Sequence, residues 1–304
     1  MKASMMTFSQ TGNTLKVGDS IKSGLRDYGF EVDHVRFLHR KKWNPQTADL
    51  IGIGCPVFEN LPAECVLEFL KKSACHFKGK KTFVYITSGG SPAKSLWHLA
   101  QAVLQTGAGV IGGLQLRGAV TVPTKFGEFI GRPDSRDLEH AHDFGHAVAK
   151  GFLYNSTLPD HFRVSPDIGG KFYNSIGPWL TYLKKKTTPI PKWDAQKCNF
   201  CGNCAYECPT DTITIQNKSI HFGNTCMVCY RCWHVCSQGA VSIRFSPGNG
   251  FIERSLYANR MERYFGNIGK DEIIGTNLYK DVLARKIRLK YDRKHPTAEF
   301  DDVR

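Results

Sequence analysis

"ASMMTFSQTGNTLKVGDSIKSGL", residues 3–25, decides the fold of the first half of the chain. An apolar run from Ala3 to Phe8 breaks at Ser9-Gln10-Thr11-Gly12-Asn13-Thr14. A helical pattern follows, with Leu15, Val17, Ile21 and Leu25 on or near one face. Strand, hydroxyl-rich turn and helix N-terminus together make a phosphate cradle: amides and hydroxyls donate, and the helix dipole favours an anion. The lysine of the G-x4-G-K-[ST] loop is missing, so the turn is not that of a nucleoside triphosphatase. An ordinary capped turn is the alternative reading of this loop taken alone.

Its surroundings strengthen the cradle reading. Strand-like runs recur at residues 30–37, 48–58, 81–90 and 110–116, with helical patterns at 62–73, 92–106 and 135–152 between and after them. Five strands alternating with helices predict an α/β unit with an open, doubly wound parallel sheet, its ligand crevice formed by loops at the strand C-termini. "GAGVIG" (107–112) matches G-x-G-x-x-G, but a helical pattern precedes it and a strand pattern follows, so it reads as a helix end and strand start. His140, His142 and His146 lack carboxylates or cysteines at suitable spacing and read as a polar helix face. Cys55, beside Pro56, is a thiol that could touch a ligand in the crevice; Cys65 and Cys75 read as small core residues.

The second informative region is "CNFCGNCAYECPTDTITI" (198–215), followed by "CMVCYRCWHVCSQGAVSI" (226–243). Each reads C-x2-C-x2-C-x3-C, and the two repeat with a period of 28 residues. An iron–sulfur cubane needs four soft thiolates at tetrahedral corners, and two-residue gaps let one tight loop present three of them. Zinc sites instead pair two C-x2-C knuckles across a long gap. Gly202 gives the first loop conformational freedom, and Pro209 turns the chain away after Cys208. The stretches "TITI" and "AVSI" that follow are β-like and apolar enough to cover a cluster.

The S-x-T-G-N-T loop, the segment "GCPVFENLPAE" (54–64) and the loop "TSGGSP" (87–92) resemble the three flavin-binding loops of flavodoxins. The eight-cysteine pattern resembles that of bacterial-type two-cluster ferredoxins. The chain thus looks like a flavodoxin–ferredoxin fusion protein, the resemblance covering roughly residues 1–150 and 193–245. The resemblance implies a five-stranded sheet of order 2-1-3-4-5, followed by a small α+β two-cluster ferredoxin domain and a C-terminal extension. It implies FMN, with its phosphate on Ser9, Gln10, Thr11, Gly12, Asn13 and Thr14. Pro56, Val57, Phe58, Glu59 and Asn60 would flank the ring on one side, and Thr87, Ser88, Gly89 and Gly90 on the other. It also implies two 4Fe–4S clusters, one on Cys198, Cys201, Cys204 and Cys236, the other on Cys226, Cys229, Cys232 and Cys208. Two departures stand out. Cys236 is followed by Ser237 instead of proline, and "SGGSP" offers no aromatic to face the ring opposite Phe58, Trp97 lying further along in a helix. One flavin face is therefore expected to be more open.

The expected organisation is a flavodoxin-like domain over 1–154, a connector over 155–192, a ferredoxin domain over 193–245 and an extension over 246–304. The connector holds five of the fourteen prolines, yet "FYNSIGPWLTYL" (172–183) is too apolar for a free linker. In the extension, residues 251–265 read as a helix. The formal charge of +14 suits an acidic redox partner or anionic substrate as well as an ordinary solvated surface. Basic runs such as 39–42 and 184–186 are too short, and too bare of recognition motifs, for nucleic acid. Nothing reads as a signal peptide or membrane span, and clustered cysteines fit a reducing, cytoplasmic setting.

These features predict an electron-transfer protein that relays single electrons between a partner and FMN. One rival is an FMN-dependent reductase of a small molecule or protein-bound cofactor, although no acid–base constellation names a catalytic residue. A second is a flavin-free docking module that carries a ferredoxin.

Overall fold

The computed structural model describes residues 1–58, 60–89, 92, 94–119, 132–164 and 191–242, and the backbone pairing of Leu289–Lys290 with Glu299–Phe300. Most of the C-terminal extension, including the expected helix over 251–265, lies outside the described residues, as do residues 165–190. Those up to 164 belong to one compact unit and those from 191 to 242 to a second.

The first unit runs β1 (Lys2–Thr7), α1 (Asn13–Arg26), β2 (Glu31–Arg36), β3 (Leu50–Phe58), β4 (Leu61–Pro62), α2 (Glu64–Lys72), β5 (Lys81–Ser88), α3 (Ser95–Leu104), β6 (Gly109–Arg117) and α4 (Ser135–Leu153). The sheet order is β2-β1-β3-β5-β6, all parallel, with β4 folded back antiparallel on the end of β3. Counting the parallel strands alone, this is the 2-1-3-4-5 order expected. The apolar run "LIGIGC" is nearly continuous because central parallel strands are buried on both faces. Met5, Leu50, Phe83, Tyr85 and Leu114 join Val17, Ile21, Leu25, Phe144 and Val148 in one core cluster beneath α1 and α4. Alternate residues Met6, Ile51, Ile53, Val84 and Ile86, all buried, point to the opposite face. Leu158 and Phe162, within the segment expected as connector, are buried in the first cluster.

Two glycines bring α1 and α4 together. A Cβ on Gly24 would lie 2.2 Å from the His142 carbonyl oxygen, and one on Gly145 would lie 2.4 Å from that of Ile21. Backbone meets backbone here, so no side chain can swing aside. Gly24→Ala should therefore destabilise the unit by roughly 1–3 kcal/mol despite its better helix propensity, read by denaturant unfolding. α4 itself starts where the sequence predicts, closed by a capping box in which Asp134 accepts from the Asp137 N–H and Asp137 from the Asp134 N–H, each at 3.0 Å.

The second unit is two copies of one motif. It runs β7 (Lys192–Trp193), α5 (Asn203–Tyr206), β8 (Ile213–Gln216), β9 (Ser219–Phe222), α6 (Arg231–His234) and β10 (Val241–Ser242). β8 pairs with β9, whereas β7 pairs with β10, so the outer strands of the two halves close on each other. The 28-residue period is also conformational. Left-handed backbone recurs at Phe200 and Val228 (φ 56° and 55°), Gly202 and Tyr230 (76° and 57°), and Asp211 and Gly239 (51° and 65°). For Phe, Val and Tyr that conformation costs about 1–2 kcal/mol each, and loops keep such residues only where something overrides local preference.

Candidate cofactor sites

In the first unit the sheet changes direction between β1 and β3, because the chain goes from β1 outward to β2 and then back past β1 to β3. Loops at the C-terminal ends of strands on either side of that point form a crevice. Thr7 is paired with Gly54, and Pro56 with Thr87, so the ends of β1, β3 and β5 stand side by side. The loop after β1 turns through Gly12 at φ 109°, where the Gly12 N–H donates to Ser9 Oγ at 3.0 Å, and α1 starts at Asn13. Gln10, Thr11, Asn13 and Thr14 are all buried polar residues, and the first turn of α1 carries no acidic side chain. The Thr14 and Thr87 hydroxyls lie 2.7 Å apart, and Asn13 Nδ2 donates to the Ala119 carbonyl at 3.3 Å. A Cβ on Gly118 would press on Thr87 and Asn13. Neutral hydroxyl and amide donors at a helix N-terminus, free of carboxylates, are the chemistry of a phosphate site.

Pro56, Val57 and Phe58 are half-buried at the end of β3, which turns back through Asn60 (φ 64°) into β4. The ring of Phe58 stands 6.3 Å from that of Phe8. Ser88 is buried and Gly89 half-buried, while Glu59 and Gly90 lie outside the described residues. Trp97 sits in α3 against His98, as expected of a helical residue.

In the second unit Cys236 of the second motif lines one recess with Cys198, Cys201 and Cys204 of the first, and Cys208 of the first motif acts electrostatically on Cys229 and Cys232 of the second. Burial pushes the Cys204 thiol up, and Cys236, Cys198 and Cys201 push it the same way. Burial pushes Cys229 up to about 12, helped by Cys208 and Cys226. Cys232 is raised by burial and then by Cys229, Cys226, Cys208 and, least, Cys204. Backbone N–H groups two residues on donate to Cys198 (3.3 Å, from Phe200) and Cys226 (3.4 Å, from Val228), which the left-handed residues make possible. The Ala240 N–H donates to Cys236 at 3.2 Å. Thiols so buried and crowded do not ionise unless a metal charge compensates them. Trp193 lines the same recess as Cys198, Cys201, Cys204 and Cys236, and its buried indole N–H has no partner among the described residues. A sulfur-rich cluster would supply an acceptor.

Known proteins show the same two parts. Over 107 residues the chain is 31% identical to the flavodoxin of Megasphaera elsdenii, a stretch covering 34% of this chain and 78% of that protein. This chain belongs to the flavodoxin family. Among solved structures, a flavodoxin from the domain Archaea matches at 18% identity (50% of this chain, 99% of that one, TM-score 0.42). The two-electron reduced Megasphaera elsdenii flavodoxin matches at 25% identity (46% and 97%, TM-score 0.36). Residues 191–214 match the 4Fe-4S binding domain family. Flavodoxin membership brings FMN and the second match brings 4Fe–4S chemistry, so the chain is an electron-transfer protein.

Some site features were not visible in the sequence. Cys55 is fully buried within β3 of the flavodoxin unit, its thiol pushed up to about 12 by burial, so it is core and not a crevice ligand. Cys65 is core as expected, but Cys75 is exposed on the turn after α2. The histidines of α4 do have a carboxylate beside them: Asp27 Oδ2 lies 2.9 Å from His142 Nε2 and 2.8 Å from His146 Nε2. The His146 hydrogen bond foremost holds Asp27 below the usual carboxylate range; desolvation opposes it next, and the charges of both imidazoles and the His142 hydrogen bond add to the lowering. A depressed carboxyl stabilises the fold above its ordinary pKa and loses that contribution as pH falls through the folded value. The Tm advantage of the chain over Asp27→Asn should therefore be present above the ordinary aspartate pKa of about 3.9 and shrink as pH falls below it.

Proposed function

We propose that the chain is an intramolecular electron relay in which two 4Fe–4S clusters connect an external redox protein to FMN. Cys198, Cys201, Cys204 and Cys236 hold one cluster, and Cys208, Cys226, Cys229 and Cys232 the other. The observation that supports this reading is that Cys236 of the second motif lines one recess with Cys198, Cys201 and Cys204 of the first, within a repeat that is also conformational, in a chain whose other unit carries the flavodoxin crevice. Residues 9–14 bind the FMN phosphate through hydroxyls, amides and the α1 dipole. Residues 56–60 and 87–90 flank the ring, Phe58 on one side. FMN takes electrons singly or in pairs, whereas each cluster handles one at a time.

The protein's own part is to hold the carriers on one chain, which sets a high effective concentration of donor for acceptor. Backbone N–H groups facing Cys198, Cys226 and Cys236 favour the electron-rich form of the sulfur they face. The formal charge of +14 suits docking to an acidic redox protein, and reduced cysteine clusters suit the cytoplasm. Among the described residues no helix is long and apolar enough to cross a membrane. A specific reductase is the second reading, favoured by the loop 87–92 having no aromatic to cover the flavin.

The test is anaerobic purification with iron, sulfide and flavin counted per chain, followed by stopped-flow reduction. The relay requires about eight iron, about eight sulfide and one FMN, with cluster bleaching ahead of flavin bleaching. Full iron without flavin would return the docking-module reading. Zinc in place of iron would overturn the cluster assignment.

A further inference from the structure

We propose that Asp27, His142 and His146 form a binding site for one late first-row divalent cation, Zn²⁺ foremost, on the first unit at the end of α1 away from the phosphate loop. The donors are two imidazole nitrogens and one carboxylate oxygen, and all three lie within 4.8 Å of one another. Bonds of about 2.0–2.1 Å at tetrahedral corners place donors roughly 3.3 Å apart. The two Nε2–Oδ2 separations are 2.9 and 2.8 Å, so admitting a cation needs only a slight spreading. His142 and His146 stand four apart on α4, the spacing that aims two imidazoles at one point from one helix face. Their ring centroids are 4.4 Å apart.

The fold holds these donors in place for a reason unrelated to their own hydrogen bonds. The Gly24–Gly145 crossing presses α1 onto α4 within one turn of Asp27, His142 and His146. Asp27 is the C-cap of α1, where the helix dipole is negative and favours a cation. Tyr28 packs edge-on against His146 with centroids 5.3 Å apart, which limits its rotation. The side chains of His142 and His146 are each 32% exposed and that of Asp27 50%, so solvent can reach the site and complete the coordination. His140 is not part of the set, because it stacks on His161 and Phe162.

Two imidazoles with one carboxylate select zinc, copper or nickel over magnesium or calcium, which prefer oxygen alone. Without the cation each imidazole must carry a proton on Nε2 to donate to the carboxylate, which can only accept. The cation replaces both of those protons. Lys150, over the Tyr28 ring at 5.7 Å, and Arg26 in the last turn of α1 are the basic groups on the flanks, and their charge lowers the affinity without blocking access. α1 spans about 20 Å from its first residue to its last, so the cation would act as a clamp or a partner contact and not on the flavin.

The experiment titrates the cluster-loaded chain anaerobically with ZnCl₂ by calorimetry, and reads the zinc K-edge absorption of the one-equivalent complex. We expect one equivalent in a shell of nitrogen and oxygen only, with imidazole scattering. His146→Gln and Asp27→Asn should each weaken binding at least tenfold, and His142→Gln with His146→Gln should abolish it. Glu139→Gln, on the same helix, should leave it unchanged. Zinc should raise the Tm of the parent chain but not that of the double variant. Sulfur in the zinc shell, or an unchanged affinity in His146→Gln, would overturn the proposal; the absorption reading needs no variant to fold.

Discussion

Replacing Cys236 by alanine is expected to damage the cluster of the first motif, although Cys236 belongs to the second. Cys236 crowds Cys204 together with Cys198 and Cys201, whereas Cys208 crowds Cys229 and Cys232 with Cys226, Cys232 also feeling Cys204 least of the four. The measurement is electron paramagnetic resonance of the reduced chain with an iron count. Cys236→Ala and Cys198→Ala should perturb the same signal, and Cys208→Ala and Cys226→Ala the other one. Complete loss of either cluster lowers the iron from about eight to about four. The effect is large because one missing thiolate would leave an iron of that cluster without its protein ligand. If Cys236→Ala grouped with Cys226→Ala, each motif would hold its own cluster and the crossing would be wrong.

Much of this architecture was legible because it depends on local periodicity. The strands β2, β3 and β5 fall inside the runs read from the sequence, β1 overruns its run by a single residue at the start and β6 by a single residue at each end, and the helices start and stop within a few residues of expectation. Hydrophobic period and turn chemistry act over short windows, so they survive without knowledge of the fold. The strand β4 was not legible, since it is two residues long and contains Pro62, a residue that argues against a strand. The carboxylate beside His142 and His146 was invisible for a different reason: Asp27 lies more than a hundred residues away in sequence. Only the close crossing allowed by Gly24 and Gly145 brings it to the histidines.

The cysteine spacing was legible as ligand chemistry, since soft donors at fixed short gaps have few other uses. Single cysteines were harder, because burial and not type decides their reactivity: Cys55 faces the core and Cys75 the solvent. The role of Trp193 was equally hidden, since nothing in "PKWDAQ" says that its indole N–H ends buried beside the first group of cysteines. What the repeat cannot reveal is any feature that breaks it.

Glu207 and Arg231 are such a feature, and Glu207→Gln is the second change expected to have a large effect. The pair lies outside the symmetry: the residue 28 positions after Glu207 is Val235, and the one 28 before Arg231 is Asn203. Arg231 Nη2 and Nε both donate to Glu207 Oε2, at 2.7 and 3.1 Å, with both side chains buried. Removing the carboxylate charge from a buried pair leaves an uncompensated guanidinium and costs about 3–5 kcal/mol. Cluster proteins lose iron irreversibly, so the reading is the rate of cluster loss in guanidinium chloride, which should rise by up to about 10²–10⁴-fold. Replacing both partners, Glu207→Leu with Arg231→Met, should restore much of the lost stability, because no buried charge is left. The pair should also act unequally on the two clusters. Arg231 favours the thiolate of Cys229, in the second group, so Arg231→Met should lower the potential of that cluster and leave the first nearly unchanged. Equal shifts in both would show that Arg231 acts through the fold as a whole, and an unchanged rate of iron loss in Glu207→Gln would show that water compensates the guanidinium. If both expectations hold, a near-symmetric sequence repeat carries two inequivalent electron sites, and the asymmetry rests on one ion pair.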